Sequence, residues 1–269
     1  MSAPVRLRPR PAALATAAVW LVACAEPAAA QPGGGGPAAA QAPASLGHGG
    51  DLTGVWTGIT VPGTGEWAIY SFSEDPPPLT DWGQQRFDNA KPQRGPRGVP
   101  VAETDDLVYR CFPPGVPRIY LHPFPFEIIQ TPGRVVIVYE YDHLVRQIYT
   151  DGRGHRSDLA ASWMGDSIGH WEGDTLVVES VNFNDRTWLD RRAVPHSEQM
   201  RFIERLRLDD EGNLRIDMRV EDPVALAEPW EFRRFYRKTD WTVEELVCED
   251  NATYTPFENS VLDFDDGAE

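Results

Sequence analysis

Two neighbouring segments constrain the fold of this chain more than any other feature. From Met200 to Leu208, Met200, Phe202, Leu206 and Leu208 alternate with Arg201, Arg205 and Arg207. From Leu214 to Val220, Leu214, Ile216, Met218 and Val220 alternate with Arg215, Asp217 and Arg219. A period of two predicts extended strands, and Asp209-Asp210-Glu211-Gly212-Asn213 between them predicts a hairpin loop. One apolar and one charged face is the pattern of an antiparallel sheet packed on one side and solvated on the other.

Glu204 interrupts the apolar face, between Phe202 and Leu206. If Leu208 faces Leu214 across the loop, Glu204 faces Met218. A carboxylate among apolar side chains has a raised pKa unless a cation pairs with it. On the segment Trp230 to Lys238, Trp230, Phe232, Arg234 and Tyr236 share a face, which makes Arg234 a candidate partner. One reading is a lumen acid or base, or a ligand anchor with Arg234 and Tyr236 beside it. The other is a buried Glu–Arg pair within the core.

Further strands are expected at Gly54-Val55-Trp56, Glu66 to Phe72, Arg118 to Leu121, Phe126 to Thr131, Val135 to Tyr141, His143 to Thr150, Ile168 to Trp171 and Thr175 to Phe183. These segments are rich in β-branched and aromatic residues, with Pro132-Gly133, Asp151-Gly152 and Glu172-Gly173-Asp174 as turns. Thr80-Asp81 is a capping signal for one short helix to Asn89, with Trp82, Phe87 and Ala90 on its apolar face. Roughly ten strands in an antiparallel meander leave two open edges unless the sheet closes. The expected fold is therefore all-β, closed into a barrel; a two-sheet sandwich is the alternative.

The N-terminus points to export. Arg6, Arg8 and Arg10 precede an uncharged apolar run from Ala12 to Ala23, which is too short to span a bilayer and fits a signal peptide over residues 1–23. Two cleavage sites compete. Leu21-Val22-Ala23-Cys24 resembles a lipobox, in which Cys24 is lipidated and anchors the chain to a membrane; Ala28-Ala29-Ala30 resembles an ordinary secretion site. Ala25 after the cysteine then favours the periplasmic face of the outer membrane over the inner one, and ordinary cleavage gives a soluble periplasmic or secreted protein. Residues 24–50 form a Gly/Ala/Pro tether, residues 51–264 a single domain, and residues 265–269 an acidic tail.

With 25 Lys+Arg against 41 Asp+Glu and a net charge of −16, the chain repels phosphate backbones, so nucleic acid is not an expected partner. With Cys24 set aside, Cys111 and Cys248 remain. In an oxidising compartment they read as one disulfide; two separate buried thiols are the alternative.

Chemistry-bearing side chains are densest from Trp163 to Glu198. The stretch Asn182-Phe183-Asn184-Asp185-Arg186-Thr187-Trp188-Leu189-Asp190 follows a strand, and Asn182, Asn184, Arg186 and Trp188 are candidate ligand-binding residues at a barrel mouth. An Asx-rich loop that satisfies its own backbone is the alternative. His196 with Asp185 or Glu198 is a candidate general base with its orienting acid, and His143 is a second candidate base. No H-x-x-x-H, H-E-x-x-H or C-x-x-C pattern supports a metal site. Neither a phosphate loop, a dinucleotide fingerprint nor a G-x-S-x-G elbow around Ser167 is present, so no cofactor is expected.

Several segments carry a resemblance. Cys111-Phe112-Pro113-Pro114-Gly115-Val116-Pro117-Arg118 and Phe126-Glu127-Ile128-Ile129-Gln130-Thr131-Pro132 come first. The longest is Trp163-Met164-Gly165-Asp166-Ser167-Ile168-Gly169-His170-Trp171-Glu172-Gly173-Asp174-Thr175-Leu176-Val177-Val178, followed by residues 182–190 and Pro195-His196-Ser197-Glu198. Together they resemble a large, uncharacterised family of exported proteins of environmental bacteria. That resemblance implies export and brings no activity with it. Members often carry His at the position of Asp166 and Arg at that of His170, which argues against a catalytic role for His170. Separately, Gly54-Val55-Trp56 resembles the opening strand of lipocalin-like (calycin) barrels, in which the Trp plugs one end. The functional expectations are a small apolar or aromatic ligand in the lumen, a cofactor-free lyase, isomerase or hydrolase using His and carboxylate groups, or an envelope interaction module.

Overall fold

Nine strands close into a barrel in the order of the chain, with the first hydrogen-bonded to the last. The computed structural model describes residues 50–60 and 64–251. The signal peptide, Cys24, most of the tether and the acidic tail lie outside the described residues.

The strands are β1 Gly54–Gly58, β2 Phe126–Thr131, β3 Arg134–Tyr139, β4 Val145–Tyr149, β5 Asp166–Glu172, β6 Thr175–Val181, β7 Arg201–Leu208, β8 Leu214–Glu221 and β9 Trp230–Thr239. An uninterrupted up-and-down meander of nine would leave β1 and β9 running the same way, with a parallel seam at closure. Here β1 and β9 pair antiparallel, and the parallel seam is moved inside the sheet, to β4 and β5. The expected all-antiparallel meander is corrected in this one place. Residues 150–165 carry the chain back across the barrel, so β5 starts at the same end as β4. Gly165 makes the re-entry possible. Its φ is +68°, and a Cβ there would sit 2.6 Å from the Phe183 ring.

The β7–β8 hairpin has the register that its alternation implies, with Leu208 opposite Leu214 and Glu204 opposite Met218. The inward side chains of β3, β6, β7 and β8, among them Val135, Ile137, Leu176, Val178, Phe202, Leu206, Ile216 and Val220, are buried in one core. Their arginines and acids pair on the outer surface, as Arg201 does with Glu179 and Glu221. Trp56 is buried and donates its indole N–H to the Leu52 carbonyl at 2.9 Å, as a plug at the barrel end would.

The one α-helix among the described residues, α1 Asp81–Asn89, begins where the sequence places it. The Thr80 hydroxyl accepts from the Gly83 amide at 3.1 Å. Two expected strands are not strands. Glu66–Ile69 and Arg118–Leu121 are 3₁₀ turns. All four residues of the second are buried, so its apolar run never had the half-wet face of a strand. Cys111 and Cys248 form a disulfide, 137 residues apart in sequence.

Candidate functional site

The barrel interior holds a charged network. Glu204 is fully buried, as its place on the apolar face implies. Its cation is Arg146 of β4, and the expected pairing with Arg234 is corrected. Arg146 points inward because it shares the parity of buried Ile148 on a strand whose Val145 and Gln147 face solvent. Its guanidinium engages both Glu204 oxygens, one of them at 3.0 Å. The remaining N–H groups donate to Ser180 Oγ at 2.8 Å, Ser167 Oγ at 3.1 Å and Tyr120 Oη at 3.2 Å. Every donor of the fork therefore has an acceptor. The Tyr120 hydroxyl in turn donates to Glu204 at 2.8 Å. Burial alone would lower the Arg146 pKa; the Glu204 carboxylate outweighs it and the pKa is raised. Burial pushes the neighbouring Tyr139 hydroxyl up to about 12.

The candidate residues of the 182–190 loop divide. Asn182 has φ +62° and donates its amide to the Leu159 and Ala160 carbonyls, both at 3.1 Å, while Asn184 accepts from the Arg186 amide at 3.1 Å. Asn182 thus ties the loop to the backbone of the 150–165 crossover, and Asn184 serves the loop's own backbone. Arg186 stacks on Trp163 and Phe112, at 4.9 and 5.4 Å from the ring centroids. Asp185, Arg186, Trp188 and His196 do converge, lining a cleft of about 460 Å³ against Trp82 and Arg86 of α1. Asp185 pairs with Arg86 at 3.4 Å. His196 is 2% exposed, its Nδ1 lies 3.3 Å from the Ser197 carbonyl, and burial lowers its pKa. His143 stands apart, exposed in the β3–β4 turn with φ +48°. His155 sits between Asp166, at 2.9 Å, and Glu179, at 3.3 Å, and fastens the crossover to β5 and β6.

A different cleft is built where β1 stops short. Beyond Gly58 the edge of β9 is covered by the 3₁₀ turn Glu66–Ile69, and a space of about 400 Å³ opens between this turn, β9 and the turn at Arg118–Leu121. Trp67, Phe72 and Tyr120 give it aromatic walls, and Phe72 is stacked on Phe232 with centroids 4.1 Å apart. Three arginines, Arg191, Arg233 and Arg234, line it, and among the described residues no Asp or Glu does. Arg234 lies on the face shared with Phe232 and Tyr236, and donates to the Ala68 carbonyl at 3.1 Å. Arg191 donates to the Ile69 carbonyl at 3.2 Å. Among the described residues, neither Arg191 nor Arg234 is within 4.0 Å of a carboxylate oxygen; Arg233 is, at 3.4 Å from Asp217. Burial lowers the Arg191 pKa; the contact with Tyr109 opposes this, and the nearby Arg118 and Arg94 add to it. Tyr236 is buried and donates to the Tyr120 carbonyl at 3.0 Å. Tyr120 is thus one wall of the cleft and, through its hydroxyl, part of the interior network.

Sequence reasoning missed Arg146, Tyr120 and Arg191. The parity of Arg146 with Ile148 was a usable signal. Arg191 had none, because it lies in an aperiodic loop. Compared with protein-family models and with curated proteins, the sequence matches none.

Proposed function

We propose that the protein is an exported β-barrel that binds a small apolar or aromatic molecule carrying a negative charge, in the cleft at the end of β1. One observation carries this reading: in a chain with 41 acids to 25 bases, the lining of this cleft holds, among the described residues, three arginines and no carboxylate. Two of the three, Arg191 and Arg234, have no carboxylate within 4.0 Å among the described residues; such cations in a partly apolar cleft favour an anion, and the guanidinium fork suits a carboxylate. Trp67, Phe72 and Tyr120 supply the apolar contact that holds the rest of the ligand. Export is supported by the basic n-region with its apolar run, and by a disulfide suited to an oxidising compartment. The geometry gives less to an acid–base enzyme, because the His196 ring is buried and Asp185 is engaged by Arg86.

Isothermal titration with 2-naphthoate and with the neutral 2-naphthalenemethanol tests the reading. The acid binds and the alcohol does not, and Arg234→Gln weakens the acid by about tenfold or more, the scale of a hydrogen bond to a charged group. Equal binding of acid and alcohol, or an Arg234→Gln protein that binds as the parent does, refutes it. Intact-mass analysis of the protein isolated from envelopes reads whether Cys24 is the lipidated N-terminus.

A further inference from the structure

The cleft at the end of β1 does not finish at Arg191. On the other side of Arg191, His122 and Pro123 lies a second space of about 450 Å³, bounded also by Arg94, Tyr109, Arg118, Phe124, Tyr141, Leu246 and Cys248. Arg191, His122 and Pro123 are the shared wall of the two spaces. The second lining again contains three arginines and, among the described residues, no Asp or Glu. Arg118 is charge-balanced from behind by a two-pronged contact with buried Asp106. Arg94 and Arg191 have no carboxylate within 4.0 Å among the described residues, and the buried Nε–H of Arg118 has no acceptor among them. The field of these cations is felt by their neighbours. His122 is held well below its ordinary pKa first by burial and then by Arg118 and Arg191.

From two clefts that share a cationic wall and that, among the described residues, are lined by no carboxylate, we infer that the ligand is a dianion with an apolar middle, one charged end beside Arg234 and the other beside Arg94. This rests on the reading of the first cleft as an anion site. A molecule with a single charge satisfies one cleft and leaves the second without its counter-charge. A chain or ring system with an oxyanion at each end supplies both, and its apolar middle passes the His122–Pro123 wall between Phe124 on one side and Trp67 and Phe72 on the other. The class is therefore α,ω-dicarboxylates and molecules of the same charge pattern.

The test is displacement of 2-naphthoate from the full protein by octanoate, decanoate and dodecanoate, and by the dicarboxylates of the same lengths. At one length or more, the dicarboxylate displaces at about tenfold lower concentration than its monocarboxylate, as expected for one additional charged hydrogen-bonding contact. Arg94→Gln, an exposed loop position, brings that ratio toward one. Dodecyl phosphate, with both charges on one end, does not reproduce the gain. If mono- and dicarboxylates displace equally at every length, or if Arg94→Gln leaves the ratio intact, the second anion site is refuted while the first stands. If dodecyl phosphate matches the dicarboxylates, the separation of charges is refuted. If 2-naphthoate itself does not bind, the first cleft's reading falls, and this inference with it.

Discussion

At the scale of single residues, the barrel interior is organised by one ion pair. Arg146 and Glu204 are both completely removed from water, which costs several kcal/mol per ion before their attraction is counted. Such a pair is weak evidence for stability and stronger evidence for a fixed arrangement, since five donors and two carboxylate oxygens must all find partners at once. Removing one partner leaves the other charged and buried. Glu204→Gln or Arg146→Met is therefore expected to cost about 3–5 kcal/mol, while the double change Glu204→Leu with Arg146→Leu costs less than the sum of the two losses. Urea unfolding of the single and double variants reads this directly. Additive losses would mean that the two side chains do not act as a pair. Tyr120 belongs to the same group and also walls the cleft at the end of β1. The cleft and the interior network thus share one residue.

Among the elements, the β4–β5 seam is where the barrel is least tied by its own backbone. It is paired at only Ile148 with Ser167 and Tyr149 with Ile168, whereas β7 and β8 are paired from Arg201 with Glu221 to Leu208 with Leu214. Side chains take up part of the load. Arg146 reaches from β4 to Ser167 on β5 and Ser180 on β6, and His155 fastens the crossover to Asp166. Hydrogen exchange should accordingly be faster in β4 and β5 than in β7 and β8. Ser167→Ala, which leaves the Arg146 Nε–H without its acceptor at a cost of about 1–3 kcal/mol, should accelerate β4 and β5 selectively. Uniform protection in the parent, or a uniform response to the substitution, would contradict this account. The same seam marks the limit of what the sequence discloses. The β7–β8 hairpin is legible because each charged residue on its outer face contrasts with an apolar one inside, and α1 is legible because Thr80 sits at its cap. Glu204 is legible as an inward carboxylate by the same alternation. Parallel pairing across a crossover has no local signature, since residues 150–165 carry nothing that names the strand beside them. Arg118–Leu121 misleads because a short apolar run buried on all sides looks like a strand from within. The cleft at the end of β1 is invisible in sequence for a different reason: Arg191, Arg234 and Tyr120 come from three distant stretches and meet only when the barrel closes.

For the whole molecule, two opposing electrostatic effects act as the pH falls. The chain carries −16 at neutral pH, so acidification neutralises acids and relieves self-repulsion, which favours the folded state. Against this stand His122 and His196, both held below their ordinary pKa of 6.5, first by burial. Between the folded value and 6.5 the unfolded chain binds protons that the folded one refuses. Stability is therefore whole above 6.5 and is lost as pH drops below it, by up to about 1.4 kcal/mol per pH unit for each histidine. The paired surface carboxylates Glu179 and Glu221 have lowered pKa values and lose their contribution only as pH falls below the usual carboxylate range, so that contribution is constant between 6.5 and 5 and adds no slope there. Which effect wins is decided by screening. At about 0.15 M salt the Debye length is about 8 Å, so repulsion across the outer surface is largely damped while buried rings are not. Unfolding free energy measured at that salt should fall from pH 7 to pH 5 with a slope that His122→Gln and His196→Gln each reduce, whatever they do to stability at pH 7. On the alkaline side Tyr120, Tyr139 and Tyr236 are all raised by burial, so stability should decline again as pH climbs past 10, where only the unfolded chain ionises. A flat profile from 7 to 5 at physiological salt, or a slope that neither histidine variant changes, would mean that these rings meet water in the native protein and that the burial assigned to them is wrong.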